Sequence, residues 1–124
     1  MKIISIQDVE AKEAGGPLFF GGKVTTQFAL DEEYAARRIS VVNVKFAPGA
    51  RNKFHTHTTE QILYVTEGKG IVATRDNKYT VTPGTVIFVP LGEEHWHGAT
   101  KDSSFAHLSI IGMGPPPEMK AEEK

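Results

Sequence analysis

The chain has 124 residues, of which 14 are basic and 15 acidic, and a formal net charge of −1. A chain of this size is expected to form one domain, and it lacks the excess of positive charge that binds nucleic acid or an anionic membrane surface. The absence of cysteine excludes disulfides, thiolate metal sites and thiol nucleophiles. The short apolar start is broken by Gln7 and Asp8, which argues against a signal peptide, so a cytoplasmic location is expected.

Residues 24–28 and residues 38–46 are the first clearly predicted strands, by their content of β-branched side chains. Successive residues of a strand point to opposite faces, so Val42, Val44 and Phe46 are expected to share the interior face of the second strand. The polar segment between the two strands predicts a surface loop or a helical turn.

Seven more short strands are predicted after this point, separated by turns rich in glycine, proline and asparagine. They cover residues 55–57, 61–66, 70–74, 78–82, 86–89, 95–99 and 104–111. Strands at this regular spacing, without a long amphipathic helix between them, predict an antiparallel sandwich or a closed barrel.

Three regions follow from this pattern. Residues 1–35 are expected to form N-terminal strands and a loop that pack on the barrel or swap with it. Residues 36–111 are expected to form the barrel. Residues 112–124 contain three consecutive prolines and then many charged side chains, which predicts a mobile terminus or an extended arm.

Histidine supplies the candidate chemistry. His55 and His57 form one His-x-His pair, and His95 and His97 form a second pair. Because residues two apart on a strand share a face, each pair can direct both rings to one point, and His107 can be placed toward the same interior. A single histidine on a strand is usually an ordinary core or surface residue, but two such pairs, each beside a proline-containing turn, favour a metal site.

An oxygen ligand is expected close to the first pair. On a regular strand Gln61 shares the face of His55 and His57, whereas Glu60 points away. A bulge at Thr58 or Thr59 would reverse this choice, and carboxylate is the commoner ligand type, so Glu60 stays the alternative to the favoured Gln61.

Three imidazoles and one amide oxygen describe an open, catalytic type of site that suits Mn, Fe, Ni, Co or Zn. Neutral ligands leave the full dipositive charge on the ion, so the site is expected to favour an anionic ligand and to acidify a bound hydroxyl. His97 and His107 are candidates for proton transfer or for structural support. Trp96, on the opposite face, is expected to pack in the core or in an interface. Arg51 and Lys53 are expected to be solvated, with a role at the pocket mouth as the alternative.

Two segments resemble the two motifs of the cupin family, with matching spacing. The first contains Gly49, His55, His57, Gln61 and Gly68, and the second contains Gly84, Pro90, Gly92 and His95. Gln61 stands where the family most often has Glu, and Ala99 where it often has Asn. The resemblance implies an all-β fold, the double-stranded β-helix of the cupin jelly-roll barrel, and a homodimer.

A closer likeness is to the cupin hydroxynitrile lyases, which are manganese-dependent enzymes that cleave cyanohydrins to an aldehyde and cyanide. This likeness implies one divalent transition metal, most often manganese, with four ligands: His55, His57, Gln61 and His95. It places His97 and His107 beside the substrate, in a pocket to which the inward-facing residues contribute: Val42, Val44 and Phe46. Phe54 replaces a tryptophan often found there and Thr58 replaces a proline, which leaves substrate preference open.

The leading hypothesis is therefore a metal-dependent enzyme that acts on a small molecule by hydroxynitrile-lyase chemistry. A mononuclear iron dioxygenase is the second hypothesis, because a three-histidine centre also permits it. A module that binds or senses a small ligand without turnover is the third, since this fold hosts many functions.

Overall fold

The computed structural model describes residues 1–30 and 38–122. Within them the chain forms one short 3-10 helix and thirteen β-strands, and it contains no α-helix. The helix is Ile6–Asp8, and the strands are β1 Lys12–Glu13, β2 Phe19–Phe20, β3 Val24–Leu30, β4 Ile39–Phe46, β5 Arg51–Asn52, β6 His55–Thr56, β7 Gln61–Gly68, β8 Gly70–Thr74, β9 Lys78–Val81, β10 Val86–Val89, β11 His95–Ala99, β12 Phe105–Gly112 and β13 Glu118–Met119.

These strands form two antiparallel sheets. The first has the order β1-β3-β4-β12-β7-β10, and the second has the order β13-β6-β11-β5-β2, with β8 also paired to β11 and β9 paired to β8. The prediction of an all-β barrel is thereby confirmed. No helix in the described ranges is long and apolar enough to cross a membrane.

The core lies between the sheets, where the inward residues of the long strands meet. Phe46 and Phe105 are fully buried and stack with ring centroids 5.8 Å apart. Val42 and Val44, from the same face of β4 as Phe46, are also buried. Because Asn43 and Lys45 lie on the opposite face of β4, a shift of one residue would expose this apolar set, so burial fixes the register of β4.

One motif glycine has a clear steric role. Gly68 ends β7 with a φ of +71°, and a Cβ there would lie 1.8 Å from the carbonyl oxygen of Ser104. Only glycine can adopt this backbone conformation at such a close approach without strain. The turn from β7 to β8 therefore depends on Gly68.

The nine predicted strands are observed with ends that differ by at most two residues, whereas the two-residue strands β1, β2, β5 and β13 were not predicted individually. The N-terminal region adds β1 and β3 to the first sheet and β2 to the second, and exchange of this region between copies stays a prediction. Residues 31–36, predicted as a loop or helical turn, lie outside the described residues. The tail forms β13, which pairs with β6 and thus has the character of an extended arm.

Candidate metal centre

The five histidines meet inside the barrel because the strands that carry them are neighbours. β11 pairs with β6 in a register that sets His95 opposite His55, which brings the two His-x-His pairs together. His107 comes from β12 of the facing sheet, at a point where the pairing with β7 shifts register between Ala106 and His107. Bulges of this kind often lie beside functional sites, where they redirect a side chain.

Three of the imidazoles converge closely enough to hold a metal ion. One nitrogen from each of His55, His95 and His97 lies within 4.8 Å of the others, and all three residues are buried. His57 lies beside them, with its ring centroid 4.9 Å from that of His55 and 5.6 Å from that of His95. Four imidazoles are therefore candidates for the ligands of one metal ion.

Two backbone carbonyls define the protonation of the central rings. Nδ1 of His55 lies 2.6 Å from the carbonyl oxygen of Lys53, and Nδ1 of His95 lies 2.8 Å from that of Glu93. A carbonyl oxygen only accepts, so each Nδ1 carries the proton and donates it. In the neutral rings each Nε2 therefore keeps its lone pair, which is the arrangement that metal-binding histidines adopt.

Gln61 completes the group, and the alternation of β7 turns it inward. Gln61 is buried while Glu60 is exposed. The Nε2 of Gln61 donates to the hydroxyl of Ser109 at 2.8 Å, and its Oε1 lies 3.3 Å from Nε2 of His95. That oxygen and that nitrogen are both lone-pair atoms with no proton between them, an arrangement that a shared cation would stabilise. The residues present therefore fit a divalent metal.

His97 and His107 form a second, connected pair. An N–H of one ring donates to the other across the 2.9 Å between Nε2 of His107 and Nδ1 of His97. Asn52 holds His97 from the other side: its Oδ1 accepts from the backbone N–H of His97 at 2.8 Å, and its Nδ2 lies 3.2 Å from the ring Nε2. Sequence reasoning missed Asn52, because a lone asparagine between Arg51 and Lys53 has no pattern that distinguishes it from a loop residue.

Burial keeps these imidazoles neutral. It is the largest cause that lowers the pKa of His55 to about 3, and the charge of a protonated His95 would add to the effect. Burial likewise lowers the pKa of His57 to about 4 and that of His107 to about 4. For His97 burial lowers the pKa well below its usual value, with His107 as the next cause. Neutral rings are ready to bind a metal without first losing a proton.

A cavity of about 360 Å³ opens beside this cluster. Val42 and Val44 line it, as do His57, His97 and His107. Much of the remaining wall is apolar, contributed by Leu18, Phe19, Phe28, Ile111 and Pro117. Such a cavity suits a small molecule with a polar group at the histidines and an apolar group elsewhere.

Phe46 has a different position from the one expected for a substrate contact. It is fully buried and packs against the rings of His97 and His107, with centroids 6.0 and 5.6 Å away. The cavity is lined by Val42 and Val44 instead. Phe46 thus supports the two imidazoles from the core.

On the outer face of β11 lies a second cluster that sequence reasoning described only in part. Trp96 is buried, which agrees with its predicted packing role. The Arg51 guanidinium lies 3.7 Å from the centroid of the Trp96 ring. The Arg51 side chain is only 21% exposed and forms an ion pair with Glu122 at 2.6 Å. The prediction of a solvated Arg51 is wrong, because the aromatic ring and the carboxylate that cover it come from distant parts of the chain.

Comparison with known proteins adds a family and several relatives. Residues 42–111 match the model of the Cupin domain family. The chain is 38% identical over 73 residues to an (R)-mandelonitrile lyase of Granulicella tundricola, an alignment that covers 58% of this chain and 56% of that relative. The chain thus spans little more than half the length of this curated relative.

Solved structures agree on the fold. A cupin-like protein from Thermotoga maritima superposes with a TM-score of 0.81 at 31% identity, over 88% of this chain and 84% of that one. The polyketide cyclase RemF from Streptomyces resistomycificus superposes with a TM-score of 0.87 at 25% identity, over 98% and 86% of the two chains.

Proposed function

This chain belongs to the cupin family, and on that premise we propose that it is a metal-dependent lyase that cleaves a small cyanohydrin into a carbonyl compound and cyanide. The observation that carries the proposal is the convergence of unprotonated Nε2 atoms and the Gln61 oxygen beside an apolar cavity. The similarity to a mandelonitrile lyase supports the choice of reaction.

We propose that the metal is held by His55, His57, Gln61 and His95. The choice of His57 over His97 rests on their hydrogen bonds. Both ring nitrogens of His97 have protein partners, Asn52 at Nε2 and His107 at Nδ1. The buried Nε2 of His57 has no hydrogen-bond partner among the described residues; the same holds for Nδ1 of His107, but the other nitrogen of that ring is hydrogen-bonded to His97. A buried nitrogen without a partner is costly unless a ligand satisfies it, and a metal ion does so.

The metal is a divalent transition ion, and manganese is the first choice because the chain resembles manganese-dependent lyases. The nitrogen and oxygen ligands suit iron, cobalt, nickel and zinc as well. When bound, the ion supplies a Lewis acid for the substrate oxygen or for the departing cyanide. Because all four ligands are neutral, its charge is not cancelled by the protein.

The residues of the chain would then bind the substrate and move one proton. As the C–C bond breaks, its electron pair leaves with cyanide, the hydroxyl oxygen loses its proton and forms the carbonyl, and the same proton ends on cyanide. No oxidant is consumed. His107 lines the cavity and shares a hydrogen bond with His97, which supports the proposal that this pair accepts and returns the proton. Val42 and Val44 would contact the apolar part of the substrate.

The test combines metal analysis with turnover. Protein purified without added metal, and then loaded with Mn²⁺, is assayed for release of benzaldehyde from mandelonitrile. We expect metal-dependent release in the wild type, and in His107→Ala a loss of turnover with unchanged metal content. Full activity of His107→Ala would remove the proposed role of that residue. A lack of metal in every preparation would contradict the proposed function.

The same assay separates the other two functions. A dioxygenase would need dioxygen, so unchanged turnover under anaerobic conditions supports the lyase and loss of turnover contradicts it. A binding module would retain a small ligand and give no metal-dependent rate with any cyanohydrin. Either result would replace the proposed lyase function with another function and would not contradict the proposed metal centre.

We also propose that two copies pair through the outer face of the first sheet. Ile62, Tyr64, Val86 and Phe88 form two exposed cross-strand pairs there, Val86 with Tyr64 and Phe88 with Ile62. An exposed apolar patch on a sheet suits a twofold contact, in which the same surface of each copy covers that of the other. Sedimentation equilibrium should show a dimer that Phe88→Lys weakens and that Tyr79→Lys, at an exposed aromatic on β9, leaves intact. A monomeric wild type would contradict this.

A further inference from the structure

The strand that carries His55 is weakly held by the barrel alone. β6 has two residues and meets β11 through a single residue pair, His55 with His95. Its other edge is covered by residues 113–122, which we call the C-terminal arm. Within the arm β13 pairs with β6, Glu118 opposite Thr56 and Met119 opposite His55. Without the arm, β6 would be the open edge of its sheet.

Backbone hydrogen bonds also hold the arm to the rest of the chain on both sides of β13. The backbone N–H of Lys120 donates to the carbonyl of Phe54 at 2.8 Å. At the start of the arm, the N–H of Met113 donates to the carbonyl of Arg38 at 2.9 Å. Between these points Pro117 lines the cavity beside the histidines. The arm therefore crosses from β12 to β6 and forms part of the cavity wall on its way.

Glu122 fastens the far end of the arm. Its carboxylate accepts from the Arg51 guanidinium at 2.6 Å through one oxygen and from the backbone N–H of Phe54 at 2.8 Å through the other. Phe54 directly precedes His55, so this contact acts on the backbone next to the proposed metal ligand. Arg75 adds hydrogen bonds to the carbonyl oxygens of Ala121 and Glu122.

The two arginine side chains next to Glu122 are also held by aromatic rings and, for Arg75, by the carboxylate of Glu94. Arg51 lies over the ring of Trp96, and the Arg75 guanidinium lies 3.8 Å from the ring centroid of Phe54. Arg75 is also paired with Glu94 at 2.7 Å. Stacked guanidinium groups lose little freedom when they bind a carboxylate, and charge-assisted hydrogen bonds to them are among the stronger ones. A single exposed ion pair would contribute little, but here two cations, one backbone N–H and a strand pairing act on the same segment.

We propose that the C-terminal arm supports the metal site and shapes the substrate cavity. Glu122 is a positioning residue that fixes the backbone of His55, and Pro117 limits the size of the substrate. The inference rests on the proposed metal site for its consequence, while the docking of the arm can be measured without metal. Loss of the Glu122 carboxylate releases β6, weakens metal binding and lets a larger substrate enter.

The test compares Glu122→Gln with Glu67→Gln. Glu67 forms an exposed ion pair with Lys45 at 3.5 Å on the first sheet and has no contact with the arm in the described structure, so it controls for the change in charge. In metal-free protein, amide hydrogen exchange of residues 54–57 should rise roughly tenfold in Glu122→Gln and stay at the wild-type rate in Glu67→Gln. Trypsin should also cut faster after Lys120 in the first variant only.

Metal affinity and substrate size give the second readout. By calorimetry, Mn²⁺ should bind Glu122→Gln about fivefold to tenfold more weakly than wild type, somewhat less than the loss typical for direct partners of metal-binding histidines. A chain that ends at Gly114 should show a larger loss, and its preference should shift toward bulky cyanohydrins.

Two results would overturn the inference. Exchange and metal affinity of Glu122→Gln equal to those of Glu67→Gln would remove the anchoring role of Glu122. Wild-type exchange and affinity in the chain that ends at Gly114 would remove the role of the arm altogether. If wild-type protein binds no metal, the proposed function fails, and the exchange experiment still decides whether the arm holds β6.

Discussion

The first and second histidine pairs have the same spacing in the sequence, yet the structure holds them differently. His95 and His97 lie on β11, a fully buried strand that pairs with β8 over five residues. His55 lies on the two-residue β6, and His57 follows after it. The leading histidines are nonetheless equivalent, because each donates from Nδ1 to the carbonyl two residues before it.

The trailing histidines, in contrast, have opposite environments. His97 is held by Asn52 and His107, whereas the buried Nε2 of His57 has no partner in the described part of the chain. Spacing alone therefore sets which rings can meet, and the hydrogen bonds of each ring decide what it can bind. In the proposed site, His55 and His57 both bind the metal, while His95 binds the metal and His97 takes part in proton transfer.

The largest effect is expected where the two pairs meet. His95 lies next to both His55 and Gln61, so His95→Ala removes the proposed ligand that lies between them. We expect the metal content of protein purified from Mn²⁺-supplemented cells to fall to background, with the far-ultraviolet circular dichroism spectrum unchanged. Near-stoichiometric metal in His95→Ala would show that the leading histidines are not the centre of the site.

Acid should destabilise the metal-free protein through the same rings. The folded-state pKa of His55 is about 3 and that of His57 about 4, against 6.5 for an ordinary histidine. Below pH 6.5 the unfolded chain therefore binds more protons than the folded one, and the free energy of unfolding decreases as the pH falls toward 4. Urea unfolding should show a loss of about 2 kcal/mol or more between pH 7 and pH 5. A constant free energy of unfolding over this range would mean that these rings are not desolvated.

Gln61→Glu tests how the charge of the ligand at position 61 affects the metal ion. A carboxylate can accept from the Ser109 hydroxyl and still face His95, but it cancels part of the charge of the ion. We expect tighter metal binding and roughly tenfold weaker binding of azide, an anion that resembles cyanide, to the Co²⁺-loaded protein. Titration followed by the visible spectrum measures both. Azide binding stronger than in the wild type would contradict a neutral ligand set.

Asn52→Ala should have the smallest effect and should act on the second pair only. It removes the acceptor for the backbone N–H of His97 and the contact with its ring, at a cost of about 1–3 kcal/mol in the free energy of unfolding. Metal affinity should remain within about twofold of wild type, since Asn52 contacts no proposed ligand. A large loss of affinity would show that His97 binds the metal.

Much of the fold was accessible from the sequence, because alternating strands and turn residues are local signals. The inward position of Gln61 follows from the same alternation, and Gly68 follows from the motif spacing. The role of Asn52 was not accessible, since it depends on a contact across 45 residues with His97. An extended arm was one of the two predictions for the tail, but its contacts were missed for a similar reason: nothing around Glu122 in the sequence indicates that it binds Arg51 and Phe54, some seventy residues earlier.

The most direct test of the account compares His57→Ala with His97→Ala by Mn²⁺ calorimetry, after hydrogen exchange has shown that both variants are folded. The spacing of the two residues within their pairs is identical, so each variant is the control for the other. We expect metal affinity to be lost in His57→Ala and to stay close to wild type in His97→Ala. Lost affinity in His97→Ala with retained affinity in His57→Ala would contradict the central claim that hydrogen-bond partners divide the two pairs.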